Sequence, residues 1–301
     1  MISLAAAVVT ALLNATSNVL NRKATRDEPA RFEFRLRLII DLARRRTWLA
    51  AVAIMALSFG TGAAALGTGQ IAAVQPIITL ELPMTIIGES WLLGSRLRKR
   101  GWAAIAVMTA GIVALLLSLD PRAGPSTPVA PAEWIIGSAV NGGAVAALAF
   151  AGWASRSPAR RAALLGTACG LGFGLAAAYT KGMTQQFGTG GIAGVLSSWQ
   201  LYAAAVAGAG TTWLLQNAYR AGRLAAAQPG TTLADPVAAI VWGVLVFGER
   251  VRAGPFLIPA VLGVLALAAA VVVLSRSPGM QGTAGQSEEE SRRRIARDEA
   301  A

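Results

Sequence analysis

Long apolar stretches free of lysine and arginine punctuate the chain. Nine of them approach or exceed the roughly 20 residues that a helix needs to cross a hydrocarbon core of about 30 Å. They cover Ile2 to Leu20, Trp48 to Thr68, Gln70 to Gly94, Trp102 to Leu119, Trp134 to Ala154, Ala162 to Thr180, Gly191 to Leu215, Leu224 to Gly248 and Pro255 to Ser275. The first lacks a basic leader and a small-residue cleavage site, so it reads as an uncleaved helix. Between the spans, residues 21–47 interleave Phe32, Phe34, Leu36 and Ile39 with Arg31, Arg35 and Arg37, the pattern of a basic helix lying in the membrane interface. Pro121, Pro125, Pro128 and Pro131 stiffen the link from Asp120 to Glu133. Residues 276–301, with Glu288 to Glu290 beside Arg292 to Arg294, read as a charged disordered tail.

Composition removes most alternatives to a membrane protein. Of the 301 residues 54% are apolar and 14% charged, against about 25% charged in an average soluble domain. Histidine is absent and Cys169 is the one cysteine, which excludes imidazole-based catalysis, His-ligated metals, CxxC redox chemistry and disulfides. An intramembrane enzyme therefore lacks its usual groups, and no cofactor is implied. The net charge of +12 would suggest nucleic acid in a soluble protein. Here it sorts by side: 23 Lys and Arg fall on one side of the nine spans, whereas Arg122, Lys181, Arg250 and Arg252 fall on the other. The positive-inside rule then expects a multi-pass protein of the cell membrane with its amino terminus outside and its carboxyl terminus in the cytoplasm. Trp48, Trp102, Trp134 and Trp153 stand near span ends, where interfacial tryptophans belong.

Self-comparison finds a repeat. At an offset of 153, Gly69, Ala72, Ala73, Gln75, Pro76, Thr79, Leu80 and Pro83 match Gly222, Ala225, Ala226, Gln228, Pro229, Thr232, Leu233 and Pro236. Gly101 meets Gly254, Gly111 meets Gly263 one residue out, and Lys23 pairs with Lys181 at a slightly larger offset. Five spans separate each helix from its counterpart, so the copies run in opposite directions. The expected fold is an all-α polytopic membrane protein of about nine transmembrane helices, in two inverted four-helix repeats plus a connecting helix. Its parts are residues 1–120, the link and connector 121–155, the second repeat 156–275 and the tail 276–301. Inverted halves suit alternating access around a midplane site.

With "GQIAAVQPIITLELP" and "GRLAAAQPGTTLADP" opening paired helices and "VFGERVRAG" leading into the last, the chain resembles the drug/metabolite transporter superfamily over Ile2 to Ser275. Nine spans with a basic first loop are most similar to its NIPA-type magnesium branch. The resemblance implies a secondary transporter of a small solute, with a divalent-cation transporter as the alternative and a non-transporting scaffold as the reading from another class. Small multidrug resistance members use a glutamate in their first helix. Here that region offers Asn14 and Asn18 but no acid.

Candidate chemistry lies at mid-depth. An ionisable residue inside a span costs at least about 2.5 kcal/mol, so each needs a reason. Glu81 and Asp235 occupy matching depths in the two copies, one residue out of register, and are candidates for binding a cation or proton or for bonding neighbouring helices. Pro83 and Pro236 adjoin them, and Gln75 with Pro76 and Gln228 with Pro229 repeat one to two turns away. These four prolines are expected to kink their helices, and the glutamines, with Asn14 and Asn18, to line a passage or to bridge helices. Glu89 is expected to reach Arg96 or Arg98. Asn141, Ser197, Ser198 and Gln200 read as cross-helix bonds, Trp199, Tyr202 and Trp242 as packing or an aromatic wall, and Gly166, Gly170 and Gly174 as a face for close helix approach. The expected partners are a small-molecule or ion substrate and the lipid bilayer. A bound metal and a homodimer stay open.

Overall fold

The computed structural model describes residues 2–25, 46–93, 97, 99–125, 128–222 and 224–275. The expected interfacial helix, for all but its ends, and the tail lie outside them. The described chain is helical throughout: α1 Ile2–Thr25, α2 Arg46–Thr68, α3 Ile71–Ile78, α4 Glu81–Leu93, α5 Lys99–Leu119, α6 Pro131–Ala154, α7 Pro158–Ser197, α8 Trp199–Ala221, α9 Leu224–Leu245, a 3₁₀ turn Gly254–Phe256, and α10 Leu257–Ser275. Large apolar side chains cover the outside, with Trp91 90% exposed, Val206 75% and Phe150 74%. In water such a surface would aggregate, whereas against lipid it is the expected outer face. The chain is an all-helical, multi-pass membrane protein.

Seven of the described helices, or eight with one bent pair, are long and apolar enough to cross, where nine spans were expected. The sixth and seventh spans differ most from expectation. α7 does not stop at Thr180 but continues to about Gly188 before a kink separates it from Gly190–Ser197; residues 181–188 carry no proline and Lys181 finds a buried partner. Its backbone departs from helix at Gly191, where φ is 58° and ψ −146°, a conformation open to glycine and strained for other residues. The segment Gly190–Ser197 then meets α8 at a 55° bend. The eighth expected span forms α9, 22 residues long, but Gln228, Thr231, Thr232 and Asp235 dilute it, and it is not among the helices apolar enough to cross alone.

The prolines act unequally. The third expected span breaks into α3 and α4 at Thr79–Leu80, between Pro76 and Pro83. Pro83 has no N–H for the Thr79 carbonyl, which accepts from Leu82 N at 3.2 Å instead. α9, by contrast, runs unbroken through Pro229 and Pro236. It lies along the glycine face of α7, and Thr231 Oγ1 donates to the Gly166 carbonyl at 3.1 Å. A Cβ on Gly170 would come within 2.6 Å of Thr231 O, so this contact needs glycine, as the four-residue spacing implied.

The two halves also meet along α5 and α10. Ile105 and Met108 pack near Val271 and Leu274, and Leu115 and Leu119 near Ala260, so the pair is antiparallel. A Cβ on Gly111 would lie 2.8 Å from Gly263 O and 3.3 Å from Leu267 N. One on Gly263 would lie 2.7 Å from Gly111 O and 3.2 Å from Leu115 N. The contact is reciprocal, residue for residue. α6 buries only Trp134, Ala149 and Gly152 and lies at the periphery.

Candidate functional site

Three of the polar residues singled out from the sequence converge with Glu81 and Asp235 between α1, α3, α8 and α9. Glu81 opens α4 directly after the break, so the break that Pro83 promotes sets the acid at a helix amino terminus, where its charge suits the helix dipole. Asn14 of α1 lies beside its carboxyl. Asn14 Oδ1 accepts from Ser58 Oγ of α2 at 2.6 Å, which leaves the amide nitrogen to face the acid. Asp235 of α9 lies near enough to feel the Glu81 charge, and its Oδ1 accepts from Gln75 Nε2 of α3 at 3.5 Å. Gln228 Oε1 accepts from the Tyr219 hydroxyl of α8 at 3.4 Å. Both acids are half-buried. Two carboxylates of like charge facing one space repel unless a cation or proton joins them, and the amides turn N–H groups toward them. Tyr219 was not foreseen. Asn18 is exposed one turn beyond Asn14 and stands apart.

An apolar groove of about 480 Å³ opens between α1 and α4, lined by residues such as Leu12, Val19, Met84 and Trp91. No carboxylate lines it, so it is distinct from the acid site.

One end of the bundle, where α1, α3 and α6 begin and α9 ends, is closed by groups that sequence reading assigned to loops. Lys181 is buried on α7, and its Nζ donates to Glu249 Oε1 and to the Gly69 carbonyl, both at 2.7 Å. Glu249, also buried, accepts from the backbone N–H groups of Ile71 at 2.8 Å and Ala72 at 3.0 Å and so caps α3. Lys181 further lies 5.1 Å from the centre of the Phe247 ring. Counting Lys181 as a loop charge was therefore incorrect, since it is buried within α7. The signals were present: a lone lysine in a long apolar run, and its pairing with Lys23 in the repeat.

Aromatic rings complete this closure. Trp134, expected at the interface, is instead buried at 6% exposure, with Trp199 at 5.3 Å, Phe247 at 5.6 Å, Trp242 at 5.7 Å and Tyr179 at 5.9 Å between ring centres. Trp199 and Trp242 thus pack around Trp134, whereas Tyr202 is exposed and bonds the Leu196 carbonyl. Asn141 bridges helices, accepting from Trp242 Nε1 at 2.8 Å and donating to Leu171 O at 3.3 Å. Ser197 and Ser198 bond carbonyls of their own helix. Trp102 and Trp153 are exposed as expected, and Trp48 lies outside the described side chains. Glu89 is buried, and Arg96 and Arg98, expected beside it, lie outside the described residues.

On the rim, Asp120 accepts from Arg122 and Arg252, each at 2.9 Å. The Arg122 hydrogen bond, then the Arg252 charge, hold its carboxyl below the usual range. Arg122 also pairs backbone-to-backbone with Arg250, tying the proline-rich link to the segment after α9.

No family profile matches the chain, and no solved structure matches it. The chain is 27% identical over 282 residues to an uncharacterized protein of Corynebacterium glutamicum, a match covering 91% of this chain and 94% of that protein. The similarity therefore extends along nearly the whole of both sequences.

Proposed function

We propose that this protein is a secondary transporter of the drug/metabolite transporter type, a carrier rather than an enzyme, that moves a small solute by alternating access between two inverted halves. The observation that carries the reading is the pair of half-buried acids, Glu81 and Asp235, supplied by the two sequence copies at matching depth, one residue out of register. Carboxylates in such a site bind a cation or proton, which is how a gradient couples to solute movement. The reciprocal Gly111–Gly263 contact between antiparallel helices supports the inverted repeat, since a twofold axis that reverses a helix lies across it. One end is closed by Lys181, Glu249 and the Trp134 cluster, while toward the other Tyr219 and Asn18 are exposed, as in a carrier caught open to one side. By charge, the closed end faces outward, with the amino terminus outside and the carboxyl terminus cytoplasmic.

Purified protein in proteoliposomes, offered magnesium, organic cations and amino acids with and without a pH gradient, tests this. Accumulation of one class that is lost in Glu81→Gln or Asp235→Asn is the expected result. No accumulation of any class, with folded protein in the vesicles, overturns it.

A further inference from the structure

The geometry points to Lys181 and Glu249 as the latch that holds one end of the transport path closed, and to α3 as the element through which the acid site controls that latch. The inference rests on the transport reading and adds three positioning residues to it: Lys181, Glu249 and Gln75.

α3 has only eight residues and is held at both ends. At its start, Glu249 accepts from Ile71 N and Ala72 N, while Lys181 bonds Glu249 and the Gly69 carbonyl just before it. At its finish, the helix ends at the Thr79–Leu80 break, directly before Glu81. Between these, Gln75 reaches Asp235 across the bundle. A short rigid element between a proline-promoted break and an ionic cap moves as one body, so displacement at Gln75 reaches Ile71.

The latch joins the two halves. Gly69 to Ala72 belong to the first, Lys181 and Glu249 to the second, and the pair is drawn from positions 68 residues apart. Burying both charges costs several kcal/mol per ion before their attraction is counted, so a buried pair is poorly explained as a simple stabiliser. It suits a contact that must be specific when made and separable when water enters. Each charge is fully partnered while the end is closed: Lys181 by a carboxylate, a carbonyl and a ring face, Glu249 by two N–H groups and the ammonium. When a cation or proton joins the acids, the charge-assisted bond from Gln75 to Asp235 weakens, α3 is released from α9, and the cap at its other end loosens.

A disulfide reporter reads the closed end with the Lys181 and Glu249 side chains left in place; it removes only the bond from Thr184 Oγ1 to the Lys181 backbone carbonyl, equally in every variant compared. A Cβ on Gly67 would lie 3.0 Å from Thr184 Cβ, which brings α2 and α7 within cross-linking range one turn from the latch. Because Cys169 is the only native cysteine, Cys169→Ala provides a clean background. In native membranes, Gly67→Cys with Thr184→Cys should cross-link rapidly. Adding Lys181→Met should slow the initial rate about tenfold or more, and Lys181→Arg should largely preserve it. Joint Glu81→Gln and Asp235→Asn should slow it about threefold, and in a Gln75→Ala background that pair should add nothing further. Unchanged cross-linking in Lys181→Met overturns the latch, and equal slowing with or without Gln75 overturns the route through α3. If the cross-linking behaves as expected but the liposomes accumulate no solute, the latch stands and the transport reading falls.

Discussion

The closed end and the acid site hold their charges in opposite ways. At the closed end every charged atom has a partner: Lys181 meets Glu249, Glu249 caps α3, and neither is exposed to more than a few per cent. At the acid site two carboxylates share a half-buried space with amides and a phenol, and no basic side chain bonds either of them among the described contacts. The first arrangement is self-sufficient, so changing it should damage the fold. On the transport reading proposed above, the second is completed by a cation or proton, so changing it should damage function.

The largest effect is therefore expected at the closed end. Glu249→Ala strands a buried ammonium and two helix N–H groups, and should lower unfolding stability in detergent by about 3–5 kcal/mol. A melting temperature equal to wild type would show that water already reaches Lys181. Next come the acids. Glu81→Gln and Asp235→Asn should keep the wild-type melting temperature and lose roughly tenfold or more of gradient-driven uptake, about 1.4 kcal/mol in the coupled step. If they melt early instead, the acids belong with the closed end as structural groups. Gln75→Ala removes one long bond to Asp235, and its cost in uptake should be about 0.5 kcal/mol, roughly twofold and well short of the loss in the acid variants. A loss equal to that of Asp235→Asn would make Gln75 part of the ion site itself.

Asp120→Asn should have the smallest effect. This carboxyl is partly exposed at the rim and its affinity for protons is lowered, so its pairing with Arg122 and Arg252 contributes above the ordinary carboxylate range and disappears as pH falls through the lowered value. Melting curves of wild type and variant should nearly coincide at neutral pH, converge further in high salt, and coincide below that range.

How much of this was legible from the chain depended on distance along it. The acids, the glutamines and the glycine face of α7 were visible because repeats and four-residue spacing are local patterns, and the structure brings Glu81, Asp235, Gln75, Gln228 and Asn14 to one region. The continuation of α7 past Thr180 was not visible, because a lysine in an apolar run reads as a boundary unless its partner is known. That partner, Glu249, is 68 residues away and itself followed by Arg250 and Arg252, which made the whole segment resemble a solvated loop. Position also misled for Trp134, since a tryptophan at a span end looks interfacial whether it faces lipid or four other rings. Equal proline spacing in the two copies gave no hint that only one would break. The difference comes from the neighbour: α9 has the glycine face of α7 against it.

The length of α7 makes lipid thickness a variable of this protein. Its continuous stretch Pro158–Gly188 has 31 residues and so extends about 46 Å, well beyond a hydrocarbon layer of about 30 Å. Even inclined by about 40° it would still overshoot, so part of it stands among the headgroups. Lys181 lies about 35 Å along that axis from Pro158, so with Pro158 at one headgroup layer it stands near the opposite one. Longer acyl chains would draw the Lys181–Glu249 pair into oil and tighten it. Shorter ones would leave it wet, so the bilayer sets how firmly this end of the protein stays shut.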